Sequence, residues 1–217
     1  VSDFHATGAH VFPAAFAPDE IAALEALLPI IAARPGARLG PISGLADLVR
    51  PATAIAASIL GPKARPVRAT LFDKSPARNW ALGWHQDRTI AVRARIDAPG
   101  FTDWTVKHGI HHAVPPFEIL ARMLTVRIHL DPVGPDNAPL RIVPGSHRLG
   151  RIAEADIAAV AARLGEAICP AARGDLWLYA TPILHASARA VAPARRLVLQ
   201  LLYGAEDLPG GLEWLGV

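Results

Sequence analysis

The chain of 217 residues has a single cysteine, Cys169. A disulfide within the chain is therefore excluded, and so is a cluster of thiolate metal ligands. A lone cysteine of this kind ordinarily serves as a small buried hydrophobe, and its scarcity points to a reducing, cytoplasmic compartment. Long apolar runs are also missing. None approaches the roughly 20 residues needed to span a bilayer, because proline, glycine or arginine interrupts each one. Val1-Ser2-Asp3-Phe4 lacks a basic stretch followed by an apolar core, so no secretion signal is expected there, and the sequence starts without Met. An excess of one charge is lacking too. Lys and Arg total 22 against 19 Asp and Glu, and the basic residues are dispersed, with pairs such as Arg195-Arg196 but no tract. Without a concentrated basic face, nucleic-acid binding is not expected.

What is present describes a folded protein. Hydrophobic residues make up 52% and charged residues 19%, which excludes a disordered chain. The length suits one domain over 1–217 with a full core. Twenty prolines favour strand-and-turn boundaries over long helices. Residues 10–16 read as a short strand. Pro18-Asp19-Glu20 opens a helical spacing at Ile21, Leu24, Leu27 and Leu28, which Arg34-Pro35-Gly36 ends. A loop is expected over 35–44, and a second helix from Leu45 to Leu60 ends at Gly61-Pro62. The N-terminal helices thus occupy about 18–60. From Pro66 the texture changes. Strands are expected at Pro66–Lys74, Trp80–Asp87, Met123–Asp131, Leu140–Val143, Asp175–Ala180 and Leu197–Tyr203, with a short helix at Glu154–Leu164. This β core covers about 66–205. Residues 97–118 show no periodicity and read as a long loop of the kind that serves as a lid. The order predicts a mainly β fold with flanking helices, an antiparallel sandwich or jelly roll whose mouth suits a small molecule.

The chemistry gathers at Trp84-His85-Gln86-Asp87. Residues two apart on a strand share a face, so His85 and Asp87 can reach one point in space. The spacing by itself is weak, since either residue can also cap a turn. A second imidazole, His185, at the end of an apolar strand, would complete the two-histidine, one-carboxylate face that leaves positions open on non-haem Fe(II). Arg196 lies eleven residues beyond His185. A hairpin would bring it back beside that histidine, where it could hold a carboxylate in bidentate fashion. Taken singly, Arg196 reads better as a surface residue beside Arg195.

These stretches, together with Asn137-Ala-Pro-Leu-Arg-Ile-Val-Pro-Gly-Ser-His147, His185-Ala-Ser187 and Leu71-Phe72-Asp73-Lys74, resemble the phytanoyl-CoA dioxygenase family. The resemblance runs over most of the chain, although 97–118 carries no family motif. It implies a double-stranded β-helix, a cupin-like jelly roll, and Fe(II)- and 2-oxoglutarate-dependent oxygenation with O2 as oxidant. On that resemblance His85, Asp87 and His185 are the iron ligands. Arg196 pairs with the distal carboxylate of 2-oxoglutarate, and Ser187 hydrogen-bonds it. Thr70 and Arg127 match further co-substrate contacts by strand alignment. Arg127 has two other readings, as a substrate contact or as an ion-pair partner of Asp131. Halogenases of this broad class carry a small residue in place of the carboxylate, so Asp87 implies hydroxylation, or a related desaturation or cyclisation, with succinate and CO2 as co-products. Among the other residues, His147 reads as turn-stabilising, His129 as a pocket candidate, Lys74 as a strand end reaching solvent, and His111-His112 as lid or surface residues. Trp80, Trp84 and Trp104 read as cavity walls or as plain packing. Arg127, Arg88 and the basic residues of 97–118 favour a carboxylate-bearing substrate. Two competing readings share the three ligands: a non-catalytic metal-binding module and a zinc hydrolase.

Overall fold

The computed structural model describes residues 3–28 and 36–217. Its helices are α1 (Phe4–Thr7), α2 (Pro18–Leu27), α3 (Leu45–Leu48), α4 (Arg50–Leu60), α5 (Phe117–Ala121) and α6 (Ile157–Leu164). The first strands are β1 (Ala9–Phe12), β2 (Ala37–Leu39), β3 (Arg65–Lys74), β4 (Leu82–His85), β5 (Ile90–Val92), β6 (Thr102–Lys107) and β7 (Ile110–Val114). The remainder are β8 (Leu124–His129), β9 (Leu140–Ile142), β10 (Ala167–Cys169), β11 (Leu176–Ala180), β12 (His185–Ser187) and β13 (Arg196–Gly204). A larger antiparallel sheet has the order β1-β11-β8-β13-β3-β2, and a smaller one the order β10-β9-β12-β4. The two sheets form the expected jelly roll. A third sheet, β5-β7-β6, lies beside them in the chain order.

Strand alternation explains the larger sheet. On one face Ala69, Leu71, Val126, Ile128, Leu199 and Leu201 form a single apolar cluster with the buried faces of α2, α3 and α4. Alanines at Ala52 and Ala56 face that cluster, which lets α4 approach the sheet closely. The opposite phase carries Arg68, Thr70, Lys74, Arg127, Arg196 and Gln200, all buried. A buried polar sheet face is costly unless its groups are satisfied. This face lines the cavity between the two sheets.

The helices differ in detail from the sequence reading. Helix α2 begins as expected, with Pro18 in its first turn and the Glu20 carboxylate accepting the Ala17 N–H at 2.8 Å. It ends at Leu27, with Leu28 already extended. The expected stop at Arg34-Pro35 lies outside the described residues. The helix expected over 45–60 is two helices broken at Val49, because Pro51 has no N–H to continue the ladder of α3. Part of the expected 35–44 loop is strand β2. The stretch before α6 is a 3-10 turn, Glu154–Asp156.

The largest difference is at 97–118. It is a hairpin, β6 and β7, extended by β5. Its two-residue turn is His108-Gly109, with φ of 55° and 77°. Such turns need positive φ at both positions, and His is among the side chains that tolerate it. Alternation is hidden because β6 slips register between Thr102 and Thr105, with Asp103 also at positive φ. No described helix is long and apolar enough to cross a membrane.

Candidate active site

His85 is the last residue of β4, and His185 is the first of β12. The strands pair with these two residues directly opposite each other, and the ring centroids are 4.2 Å apart. Asp87 lies beyond the end of β4, so the expected strand over 80–87 is shorter, and the two ligands do not share a regular strand face. What aims them is Gln86. Its buried side chain donates to Pro182 O at 2.7 Å and to Gly150 O at 3.0 Å, and accepts Ile152 N–H at 2.9 Å. With Gln86 pinned inward, its two neighbours turn to the cavity.

The donor set fits a divalent metal. One ligand atom from each of His85, Asp87 and His185 lies within 4.8 Å of the others. Nδ1 of His85 meets Gly83 O at 2.8 Å, and Nδ1 of His185 meets Ile183 O at 3.0 Å. Those carbonyls fix the tautomer with hydrogen on Nδ1, which leaves each Nε2 lone pair for a metal. Burial, then His85, lowers the pKa of His185 below the usual imidazole range. Burial pushes the Asp87 carboxyl up, but His185, Arg68, His85 and Arg127 outweigh it and hold it below the usual range. Asp87 is half-buried as a residue, yet its Oδ2 is enclosed with no hydrogen-bond partner. A charged oxygen left bare in this way fits an ion.

All seven residues singled out from the sequence line one cavity of about 400 Å³: Thr70, His85, Asp87, Arg127, His185, Ser187 and Arg196. Ser187 follows His185 by two residues on β12, a separation of about 7 Å along a strand. Arg196 and Lys74 are register partners across β13 and β3. Arg196 is buried, donates to Ala138 O, and leaves its Nε without a partner. Burial, then Arg127, lowers its pKa. Like charges side by side on one face are unfavourable until an anion joins them.

Other positions need correction. Lys74 does not reach solvent. It is buried and donates to Trp80 O at 2.6 Å, Ala188 O at 3.0 Å and Ser187 Oγ at 3.1 Å. Arg127 does not pair with Asp131. Its Nη1 donates to Gln200 at 2.7 Å and its guanidinium lies 5.1 Å from the centre of the Phe72 ring, while Asp131 accepts from Leu197 N–H. Arg88 is turned away toward Glu154 and Ile152 O. His129 is buried but does not line the cavity. In the Pro-Gly-Ser-His turn His147 hydrogen-bonds the backbone of His5, and further bonds come from Ser146. Its Oγ donates to Val143 O and accepts the N–H of Leu184, the residue before His185. Trp80 lines the cavity, whereas Trp84 and Trp104 pack in apolar clusters. Arg68, Arg38 and Gln200, on which no sequence motif falls, also line the cavity. Inward phase on β3 and β13 was the available signal for Arg68 and Gln200.

A jelly roll with two imidazoles and a carboxylate at its mouth, and buried guanidinium groups deeper in, belongs to the class of metal-dependent jelly-roll enzymes. The family described as Phytanoyl-CoA dioxygenase (PhyH) matches residues 4–198. The chain belongs to this family, and is an Fe(II)- and 2-oxoglutarate-dependent dioxygenase. Solved structures agree in fold. AviO1 from Streptomyces viridochromogenes Tue57 is 21% identical, with 96% of each chain covered and a TM-score of 0.66. EctD from S. alaskensis, with 2-oxoglutarate and 5-hydroxyectoine, is 22% identical over 100% of this chain and 78% of its own, with a TM-score of 0.70. SnoK, a non-heme alpha ketoglutarate dependent carbocyclase from nogalamycin biosynthesis, is 18% identical over 100% of this chain and 85% of its own, with a TM-score of 0.69. A comparison with curated protein sequences finds no match.

Proposed function

We propose that His85, Asp87 and His185 hold Fe(II), that 2-oxoglutarate lies between them and Arg196, and that the enzyme hydroxylates an unactivated C–H bond of a small molecule. The observation that carries this reading is the single cavity shared by the three donors, Ser187 and the Arg196–Lys74 pair. When bound, iron and 2-oxoglutarate couple O2 reduction to decarboxylation, with succinate and CO2 released and one oxygen atom passing to the substrate.

The residues of the chain bind, orient and exclude. The two Nε2 atoms and the Asp87 carboxylate would hold the metal and leave positions open to the co-substrate. Ser187, about 7 Å along β12 from His185, would hold the far end of a five-carbon diacid. There Lys74 already touches the Ser187 hydroxyl, and Arg196 supplies a planar fork for the distal carboxylate. Thr70 and Arg127 line the same cavity beside Gln200. Phe72, Trp80 and Leu82 give it apolar wall, which keeps water from the reacting bond. Hydroxylation is favoured over halogenation because Asp87 fills the position that a halide would need. Ring closure, the activity named for SnoK, is the competing outcome.

Succinate release from 2-oxoglutarate, in anaerobically reconstituted Fe(II) protein then exposed to O2, tests the proposal. His85→Ala and Asp87→Ala are expected to abolish turnover while the circular dichroism spectrum stays unchanged. Arg196→Ala is expected to raise the KM for 2-oxoglutarate by about 10–100-fold, as loss of a charge-assisted pair does. Wild-type KM in that variant would remove Arg196 from the co-substrate site. Turnover with Zn(II) and no oxygen requirement would replace the oxygenase with a hydrolase.

A further inference from the structure

The cavity holds more positive charge than one 2-oxoglutarate accounts for. Besides Arg196, Lys74 and Arg127, it is lined by Arg68, Arg38 and Lys107, and its one carboxylate is Asp87. These cations fall into two groups. Arg196 and Arg127 both act on Lys74 at one end. Arg68, Arg38 and Lys107 all act on His112, whose pKa burial lowers first, to about 4. Arg68 and Lys74 share one phase of β3 six residues apart, about 20 Å along the strand, which separates the two groups.

The second group is built, not incidental. Arg68 is 7% exposed, and its Nε has no hydrogen-bond partner. One bond from Nη1 to Thr89 O, at 3.3 Å, holds the guanidinium beside the metal donors. Asp87 acts on Arg68 from within the same cavity, but among the described residues the two form no ion pair. Arg38 pairs in register with Thr70, which makes it the diagonal neighbour of Arg68 on the same face of the sheet. Lys107 comes from the last residue of β6, on the hairpin. Among the described residues, none of the three forms an ion pair with a carboxylate. A buried guanidinium with unused donors costs several kcal/mol unless an anion completes it.

We propose that Arg68, Arg38 and Lys107 form a second anion site, which binds the carboxylate or phosphate of the substrate at the Arg68 end of β3, away from Lys74 and Arg196. It rests on the oxygenase reading above, and makes the substrate a compact organic anion. Arg68 and Arg38 grip the headgroup from the sheet, while Lys107 reaches it from the hairpin. The anion then fixes which C–H bond of the substrate faces the metal. A cavity of about 400 Å³ leaves room for 2-oxoglutarate and only a small second molecule.

The test uses the full chain loaded with Fe(II) and 2-oxoglutarate without oxygen. Inorganic phosphate and acetate, the minimal probes for a phosphate ester and a carboxylate, are titrated by calorimetry into wild type, R68Q, R38Q and R68K. Binding of 2-oxoglutarate is followed separately by the visible charge-transfer band of its Fe(II) complex. Wild type is expected to bind at least one anion, and the tighter of the two identifies the headgroup. R68Q and R38Q are expected to weaken that binding about tenfold or more, R68K to recover part of it, and the 2-oxoglutarate titration to move less than about twofold. The proposal is overturned if neither anion binds wild type, if R68Q and R38Q bind as wild type does, or if 2-oxoglutarate affinity falls in step with anion affinity. Should R68Q fail to fold, R38Q, on a half-buried position, decides the matter. A missing charge-transfer band with anion binding intact would sink the oxygenase reading and keep the anion site.

Discussion

Two side chains between and beside the candidate ligands do as much positioning as the ligands themselves. In Trp84-His85-Gln86-Asp87 the glutamine looks like a spacer. Its three partners come from Gly150, Ile152 and Pro182, and no local pattern announces them. Gln86→Ala removes those bonds and frees His85 and Asp87 to swing. Fe(II) affinity, measured by anaerobic titration, is expected to fall about 10–100-fold, the usual effect of losing a residue that orients metal ligands. The unsatisfied Ile152 N–H adds a stability loss of about 1–3 kcal/mol, readable in the urea midpoint. Lys74 makes a prediction about pH. Burial, then Arg196 and Arg127, lowers its ammonium to about 7. Below that pH it is charged and assists a dianion, and above it the charge is lost. The KM for 2-oxoglutarate is therefore expected to rise as pH climbs through about 7, with kcat little changed, and Lys74→Met is expected to flatten the profile. A profile unchanged by Lys74→Met would detach Lys74 from co-substrate binding.

Among the elements, strand β12 and the β6–β7 hairpin divide the work. Strand β12 is three residues long, yet it carries His185 and Ser187 on one face and pairs with both β4 and β9. Its alternation was legible from sequence, because same-face spacing is a local property of any strand. The hairpin was not legible. Its alternation is broken by the register slip in β6, and its turn uses His-Gly in place of the more familiar Asn-Gly. Gly109 has φ of 77° and open space where a Cβ would sit, so a side chain there meets only backbone strain. Gly109→Val is expected to lower stability by about 1–2 kcal/mol in urea unfolding. Fe(II) affinity should stay unchanged, because the three donors lie on β4, β12 and the segment after β4. If metal binding fell as well, the hairpin would be supporting the donors directly.

Over the whole molecule, burial of imidazoles shapes the response to acid. Burial, then neighbouring cations, lowers His129 to about 3, and burial also lowers His112 to about 4. Both rings stay neutral in the fold while the unfolded chain protonates near 6.5, so as pH falls below that value the unfolded state takes up protons and stability drops. The slope approaches about 1.4 kcal/mol per pH unit for each such group. His129→Leu removes one proton from that balance, and both ring nitrogens it deletes lack partners. Urea midpoints between pH 7 and 5 are expected to fall less steeply in His129→Leu than in wild type. Equal slopes would mean that another group governs acid unfolding. The same contrast between local and distant causes runs through the site. Residue types, two-residue spacings and strand alternation made His85, Asp87, His185, Ser187 and Arg196 visible in the chain, because each depends on neighbours a few positions away. Lys74 beside Arg196, Gln86 bound to three distant backbone groups, and Arg68 diagonal to Arg38 depend on register between strands far apart in sequence. Long-range pairing sets that register, so the positive surroundings of the donors belong to the tertiary structure.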